Sequence, residues 1–387
     1  MSTPLSDITI IDLSHVLAGP YCTMVMADLG ARVIKIELPQ KGDDTRHFPP
    51  LRKGKNTCES AYFAAINRGK ESIALNLKDA DDRAIFERIL PKADVLVENF
   101  RPGVMERLGY GWEDLHAKFP SLIYGAVSGF GHTGPEAMKP AYDMVVQARS
   151  GLMSITGEAN REPVRVGASV GDIVAGMFLS QGITAALYER VKSGVGRKVD
   201  VAMLDGQLAI LEHAIAITHE SGKSPKRSGA RHPSITPFET FHAKNGLFVI
   251  AAGNDVLFVK MCAALGLEQL ANDPRFASNV ARCKHVKILK RLIETVTLEH
   301  KKKHWITLLE NAGVPCSPIQ DVAQAMADPQ IMARNMVIKL AAPDGGKPFL
   351  AAGNPIKISG MDDTLKDARA PLLDGDRQQI IDWLDAD

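Results

Sequence analysis

Short apolar runs alternate with segments of helical spacing over residues 8–202, and this alternation constrains the fold more than any other feature of the chain. Residues 8–13 (ITIIDL) read as a strand. Residues 20–29 place Val25, Met26 and Leu29 on one helical face, and residues 31–37 read as a strand again. Further strand candidates lie at 94–98 (DVLVE), 122–127 (LIYGAV) and 198–202 (KVDVA), with helical patterns at 82–90 and 171–191 between them. Parallel neighbours need crossovers of this kind, so the pattern predicts an α/β domain with a mostly parallel sheet.

A chain of 387 residues exceeds one ordinary core and implies two domains. Residues 219–237 contain SGKSPKRSGARHPSITP, rich in Ser, Pro, Gly and basic residues, as expected of a linker. The expected division is a large α/β domain over 1–218, completed by 336–387, and a smaller α+β domain over 238–335. The smaller domain draws on a strand at 247–252 and helices at 256–265, 280–297 and 305–311.

Basic and acidic side chains nearly cancel, 46 against 45, so no global field favours nucleic acid or an anionic membrane. The run His300-Lys301-Lys302-Lys303-His304 lacks interleaved aromatics and reads as a charged helix start or loop. Residues 1–7 carry no basic segment leading into an apolar run, and no stretch of about 18 apolar residues occurs, so no membrane association and a cytoplasmic location are expected. Five scattered cysteines without CxxC spacing, and histidines without an HExxH pair, point to free thiols and no metal site.

The first βα turn, residues 14–20 (SHVLAGP), presents a helix N-terminus where α/β sheets hold anions, and Glu37 ends the second strand where a ribose would lie. The GxGxxG fingerprint of dinucleotide sites is absent. The glycine-rich segment 128–135 (SGFGHTGP) is either a close-approach ligand loop or a plain flexible one. Asp172 precedes the apolar run 173–187 and, as a bare sequence feature, reads as a helix cap before it reads as a reactive carboxylate. Small neighbours at Gly167, Ala168, Ser169, Gly171, Ala175 and Gly176 leave room around it for a bulky ligand or a second backbone.

HVLAGP, VIKIELP, GDDTR, VENFRPG, SGFGHTGP, AYDMVVQARSGLM and VGDIVAG form an ordered series that resembles the family III coenzyme A transferases over nearly the whole length. The resemblance implies a Rossmann-like large domain, an interlocked homodimer, and acyl-CoA and carboxylic acid substrates with no tightly bound cofactor. It makes Asp172 the nucleophile, passing through an aspartyl anhydride and an aspartyl-CoA thioester. Backbone N–H groups of the glycine-rich loop would stabilise the oxyanions, each worth about 3 kcal/mol. By motif, CoA contacts fall on His15, Val16, Leu17, Ala18, Leu75, Lys78, Asn99, Phe100, Arg101 and Arg107.

Leu38 stands where the formyl-CoA and oxalate enzyme has an arginine, and Ala251-Ala252-Gly253-Asn254 replaces its glycine-run loop, which argues against a formyl or oxalyl specialisation. RHPSITPFE, AAGND and ENAGVPCSPI are most similar to the succinyl-CoA:dicarboxylate branch, glutarate included. Arg46 and Arg231 are candidates for a distal carboxylate, with Gly253 on a loop over the site. The related α-methylacyl-CoA racemases use a His-Asp pair where this chain has Tyr142-Asp143. A tyrosine of ordinary pKa, about 10, is a poor base, so Tyr142 is expected to orient reacting groups instead. An acyl-CoA racemase and a non-catalytic acyl-CoA binding protein are the alternatives.

Overall fold

Six parallel strands form the main sheet, in spatial order Lys70–Ala74, Arg32–Glu37, Thr9–Asp12, Val95–Glu98, Ile123–Ser128, Lys198–Ala202. The computed structural model describes residues 3–53, 58–342, 347–362 and 369–386. Successive strand side chains point to opposite faces, so Ile11, Ile34, Leu96 and Tyr124 enter one core while Ile10, Val33, Val95 and Ile123 enter the other. Helices cover both faces, which is why the central strands carry consecutive apolar residues, as at Ile10-Ile11, Val33-Ile34 and Val95-Leu96-Val97. Each fully buried Ile or Val contributes roughly 1.5–3 kcal/mol.

The helix Val170–Ser193 shields the second face with Ala175, Leu179, Ile183 and Leu187, each four residues after the last. It is long and apolar enough to cross a membrane by length and composition, yet this stripe is packed on the sheet, where Gly125 lies under Ile183. The first helix, Ala18–Asp28, crosses it at Gly176. A Cβ at position 176 would stand 2.5 Å from the Ala18 carbonyl oxygen, so only glycine permits this approach.

The edge strand Lys70–Ala74 (KESIA) was not expected from its two charges. Lys70 is buried and its Nζ donates to Asp12 Oδ2 at 2.9 Å, Asn67 Oδ1 at 2.8 Å and the Pro20 carbonyl at 3.0 Å. Asp374 and Asp376 accept from the Ala74 and Ser72 N–H groups, and the last helix, Arg377–Asp385, buries Ile380 and Leu384 in the first core.

The chain divides into two compact units: Met1–Leu152, Arg165–Glu212 and Asp328–Asp387 form one, Met153–Val164 and His213–Ala327 the other. The second unit holds an antiparallel sheet ordered Cys316–Pro318, Gly246–Ala251, Phe238–Ala243. Its core gathers Phe241, Phe248, Phe258 and Trp305. The single helix expected over 280–297 is two, Asn279–Lys284 and Val286–Thr297, because His285 leaves helical geometry at ψ 20°.

Candidate active site

Strand order reverses between Thr9–Asp12 and Val95–Glu98, which opens the crevice where α/β sheets bind ligands. Two loops meet there. The His15 N–H donates to Asn99 Oδ1 and the Asn99 amide donates back to the His15 carbonyl, both at 2.7 Å. The His15 and Phe100 rings lie 5.3 Å apart.

A buried charge network holds the first turn from below. Lys35 Nζ donates to the Ser14 carbonyl at 2.6 Å and pairs with Asp43 at 3.1 Å. Asp43 accepts from the Val16 N–H at 3.2 Å, fixing Val16 at φ 65°, a left-handed conformation costly for a β-branched residue. Burial pushes the Asp12 carboxyl up, but Lys70 and Lys35, with Ser14 and Thr23, outweigh it and hold it far below the usual carboxylate range. The GDDTR motif therefore supports the turn, and Arg46 does so as well: its guanidinium pairs with Glu37 through Nε at 2.7 Å and Nη2 at 2.6 Å. It also lies 3.8 Å from the Phe63 ring centre.

His15, Leu38, Leu75, Lys78 and Phe100 line one cleft of about 140 Å³ in the crevice. Leu17 and Ala18 are buried and do not line it. Arg101 and Arg107 follow on the exposed side of the same turn and, with Lys78, have no ion-pair partner among the described residues.

Asp172 occupies the first turn of Val170–Ser193, after Ser169, which makes no side-chain cap. Its half-buried carboxylate accepts no hydrogen bond among the described residues, so it does not cap the helix. Burial, reinforced by the Asp143 carboxylate, pushes its pKa up to about 7. Asp143 itself is clamped: it accepts from the Gly171 N–H at 2.8 Å and from Gln147 Nε2 at 3.0 and 2.8 Å. Gln147 Oε1 in turn accepts from the Val166 N–H at 2.9 Å. The aspartate and glutamine of YDMVVQ stand four residues apart on the helix Asp143–Arg149, one face reaching two backbone segments. Tyr142 precedes that helix with its ring 76% exposed.

Two groups went unnoticed in the sequence. Burial and the carboxylates of Asp172, Asp43 and Asp143 push the Tyr62 hydroxyl up to about 12. Glu98 is buried at the end of its strand, accepting from the Phe100 N–H at 2.7 Å and Tyr124 Oη at 3.2 Å. Burial pushes its pKa up to about 7. Its Oε1 lies 3.5 Å from His132 Nε2, and His132 is fixed by Lys198 Nζ on Nδ1 at 3.1 Å and by Asp200 on its N–H at 2.9 Å. The glycine-rich loop is therefore pinned to the last strand. No local spacing signals either group, because their partners come from distant strands.

Arg231 and Gly253 belong to the second unit. Arg231 Nη1 donates to the His232 carbonyl at 3.1 Å, and the Gly253 N–H donates to Ala251 at 3.1 Å.

Residues 5–377 match the family described as CoA-transferase family III. Acetyl-CoA:oxalate CoA-transferase of Acetobacter aceti is 49% identical over 96% of this chain and 93% of its own. Succinate–glutarate CoA-transferase of Agrobacterium fabrum is 39% identical over 96% and 95%, and succinyl-CoA:glutarate CoA-transferase of Homo sapiens 37% identical over 96% and 84%. A crystal structure of a CAIB/BAIF family protein from Brucella suis superimposes with a TM-score of 0.87 at 39% identity, covering 99% of this chain and 100% of that one. With a family match over residues 5–377 and this breadth of similarity, the chain belongs to the family III CoA-transferases and is a CoA-transferring enzyme.

Proposed function

We propose that this enzyme moves CoA from an acyl-CoA to a small dicarboxylate, with Asp172 as the covalent nucleophile. The observation that carries the reading is the unpartnered, half-buried Asp172 carboxylate, one helical turn from Gly176 and its contact with Ala18. A carboxylate already accepting N–H groups would be a blunted nucleophile; this one is free, and its raised basicity favours attack.

The carboxylate oxygen attacks the thioester carbonyl, and collapse of the tetrahedral adduct expels CoA thiolate and leaves a mixed anhydride. Thiolate then attacks the aspartyl carbonyl, releasing the donor acid and forming an aspartyl-CoA thioester. The acceptor carboxylate reverses both steps, so thioester energy is retained. Backbone N–H groups of the 128–135 loop are our candidates for the oxyanion donors.

The cleft of about 140 Å³ is smaller than the ~300–1,000 Å³ that encloses a drug-sized ligand, so it suits one end of CoA and not the whole. Lys78, Arg101 and Arg107 are free cations for its phosphates. Arg46 is committed to Glu37, which favours a supporting role over contact with a distal carboxylate. Tyr142 remains a candidate for orienting the acid. For the acceptor, the relatives' names span oxalate and glutarate, so oxalate stands with the longer diacids despite Leu38. We further propose a homodimer, supported by exposed Met144, Val145, Met177, Phe178 and Leu208 on three contacting helices of the first unit.

The test is mass spectrometry of CoA thioesters after incubation with succinyl-CoA or acetyl-CoA and a panel of diacids. An acceptor-derived thioester formed by the native enzyme and absent with Asp172→Asn is expected. Undiminished exchange by that variant would remove Asp172 from the mechanism.

A further inference from the structure

The second unit contains a pocket of about 550 Å³ whose charges are strongly one-sided. Five cations, Lys226, Arg227, Arg231, Lys287 and Lys290, line it against the single carboxylate of Glu239. In a chain whose total charge is +1, this is a marked local concentration. Only Lys290 is neutralised, by Glu239 at 2.9 Å and Glu294 at 3.5 Å. The other four have no carboxylate partner among the described residues.

The pocket is built from several segments. The Arg227 guanidinium donates to the Arg161 carbonyl at 2.6 Å and the Ser154 carbonyl at 3.3 Å, which ties the 222–237 segment to residues 153–164. Its Nε is buried with no hydrogen-bond partner. Lys287 and Lys290 are three apart on the helix Val286–Thr297 and so share a face. Ile217, Pro233 and Val286 supply apolar wall between the charges.

Like charges gathered around a concavity repel one another, and an anion bound among them relieves that repulsion. The volume falls within the ~300–1,000 Å³ of small-molecule sites. We propose that this pocket binds a small molecule bearing at least two negative charges on a short apolar or compact frame, held by Arg227 and Arg231 as fork donors and by Lys226 and Lys287 as point charges. Dicarboxylates and pyrophosphate-type groups share this chemistry. The proposal goes beyond the transfer reaction and does not depend on the role of Asp172.

The experiment is isothermal titration of the full-length protein with glutarate and, separately, with inorganic pyrophosphate, using native chain and the double variant Lys226→Gln/Lys287→Gln. Both substitutions lie outside the residues assigned to CoA transfer, so circular dichroism and exchange activity should be retained. The expected result is binding of at least one probe, weakened about tenfold or more in the double variant. Weakening confined to glutarate assigns a dicarboxylate, and weakening confined to pyrophosphate assigns a phosphorylated ligand. No binding of either probe, or binding that the double variant leaves unchanged, overturns the proposal.

Discussion

The Asp143 carboxylate accepts the Gly171 N–H at 2.8 Å, one residue before Asp172. The clamp fixes the start of the helix that carries Asp172 while setting a second negative charge beside it. Burial first, and Asp143 second, raise Asp172 to about 7.

A reaction that needs ionised Asp172 is expected to lose rate as pH falls through about 7. Asp143→Asn removes the like charge but keeps an acceptor oxygen for Gly171, so the acid limb should move to lower pH. Profiles of kcat/KM from pH 5 to 9 check this. An acid limb unmoved in the variant would show that burial alone sets the titration of Asp172.

At Gly176, any side chain meets the Ala18 carbonyl. Gly176→Val is expected to force the two helices apart, costing about 1–3 kcal/mol as overpacking does. Because Ala18 starts the helix after the first turn, KM for acyl-CoA should rise more than it does in a control of equal stability loss in the second unit's core, such as Ile293→Val. Urea denaturation and steady-state kinetics read the two effects.

Lys70→Met leaves Asp12 as a buried charge facing only Lys35, Ser14 and Thr23. Loss of one partner of a buried pair costs roughly 3–5 kcal/mol, and replacing both as Asp12→Asn/Lys70→Met should cost less than the single change. Chemical denaturation of the single and double variants decides whether the pair is coupled.

Glu98 binds its proton more tightly in the folded state, at about 7 against an ordinary 4.5. A raised carboxyl works against folding once the unfolded group ionises, so its contribution worsens as pH rises from about 4.5 to about 7 and is constant above. Glu98→Gln removes that dependence. Its stability relative to the native chain should therefore improve between pH 5 and pH 7.5, measured by thermal unfolding at each pH. A constant difference across that range would mean that Glu98 is not proton-linked to folding.

The alternation of apolar runs and helical spacing was enough to place five of the six strands of the main sheet near their observed positions, because burial on both faces writes itself into local composition. Seven motifs in order carried the family, and the proposal that Asp172 is the nucleophile rests on one of them. The edge strand Lys70–Ala74 escaped because only Ile73 and Ala74 supply apolar burial, while Lys70 is buried through an ion pair with Asp12, 58 positions away, that no local pattern signals. Tyr62, Glu98 and the commitment of Arg46 to Glu37 were hidden for the same reason: their environments are assembled from separate strands and loops. Local sequence determines which segments can bury a face, whereas the partners and proton affinity of a polar group depend on what the fold brings within hydrogen-bonding distance, and only the tertiary structure decides that.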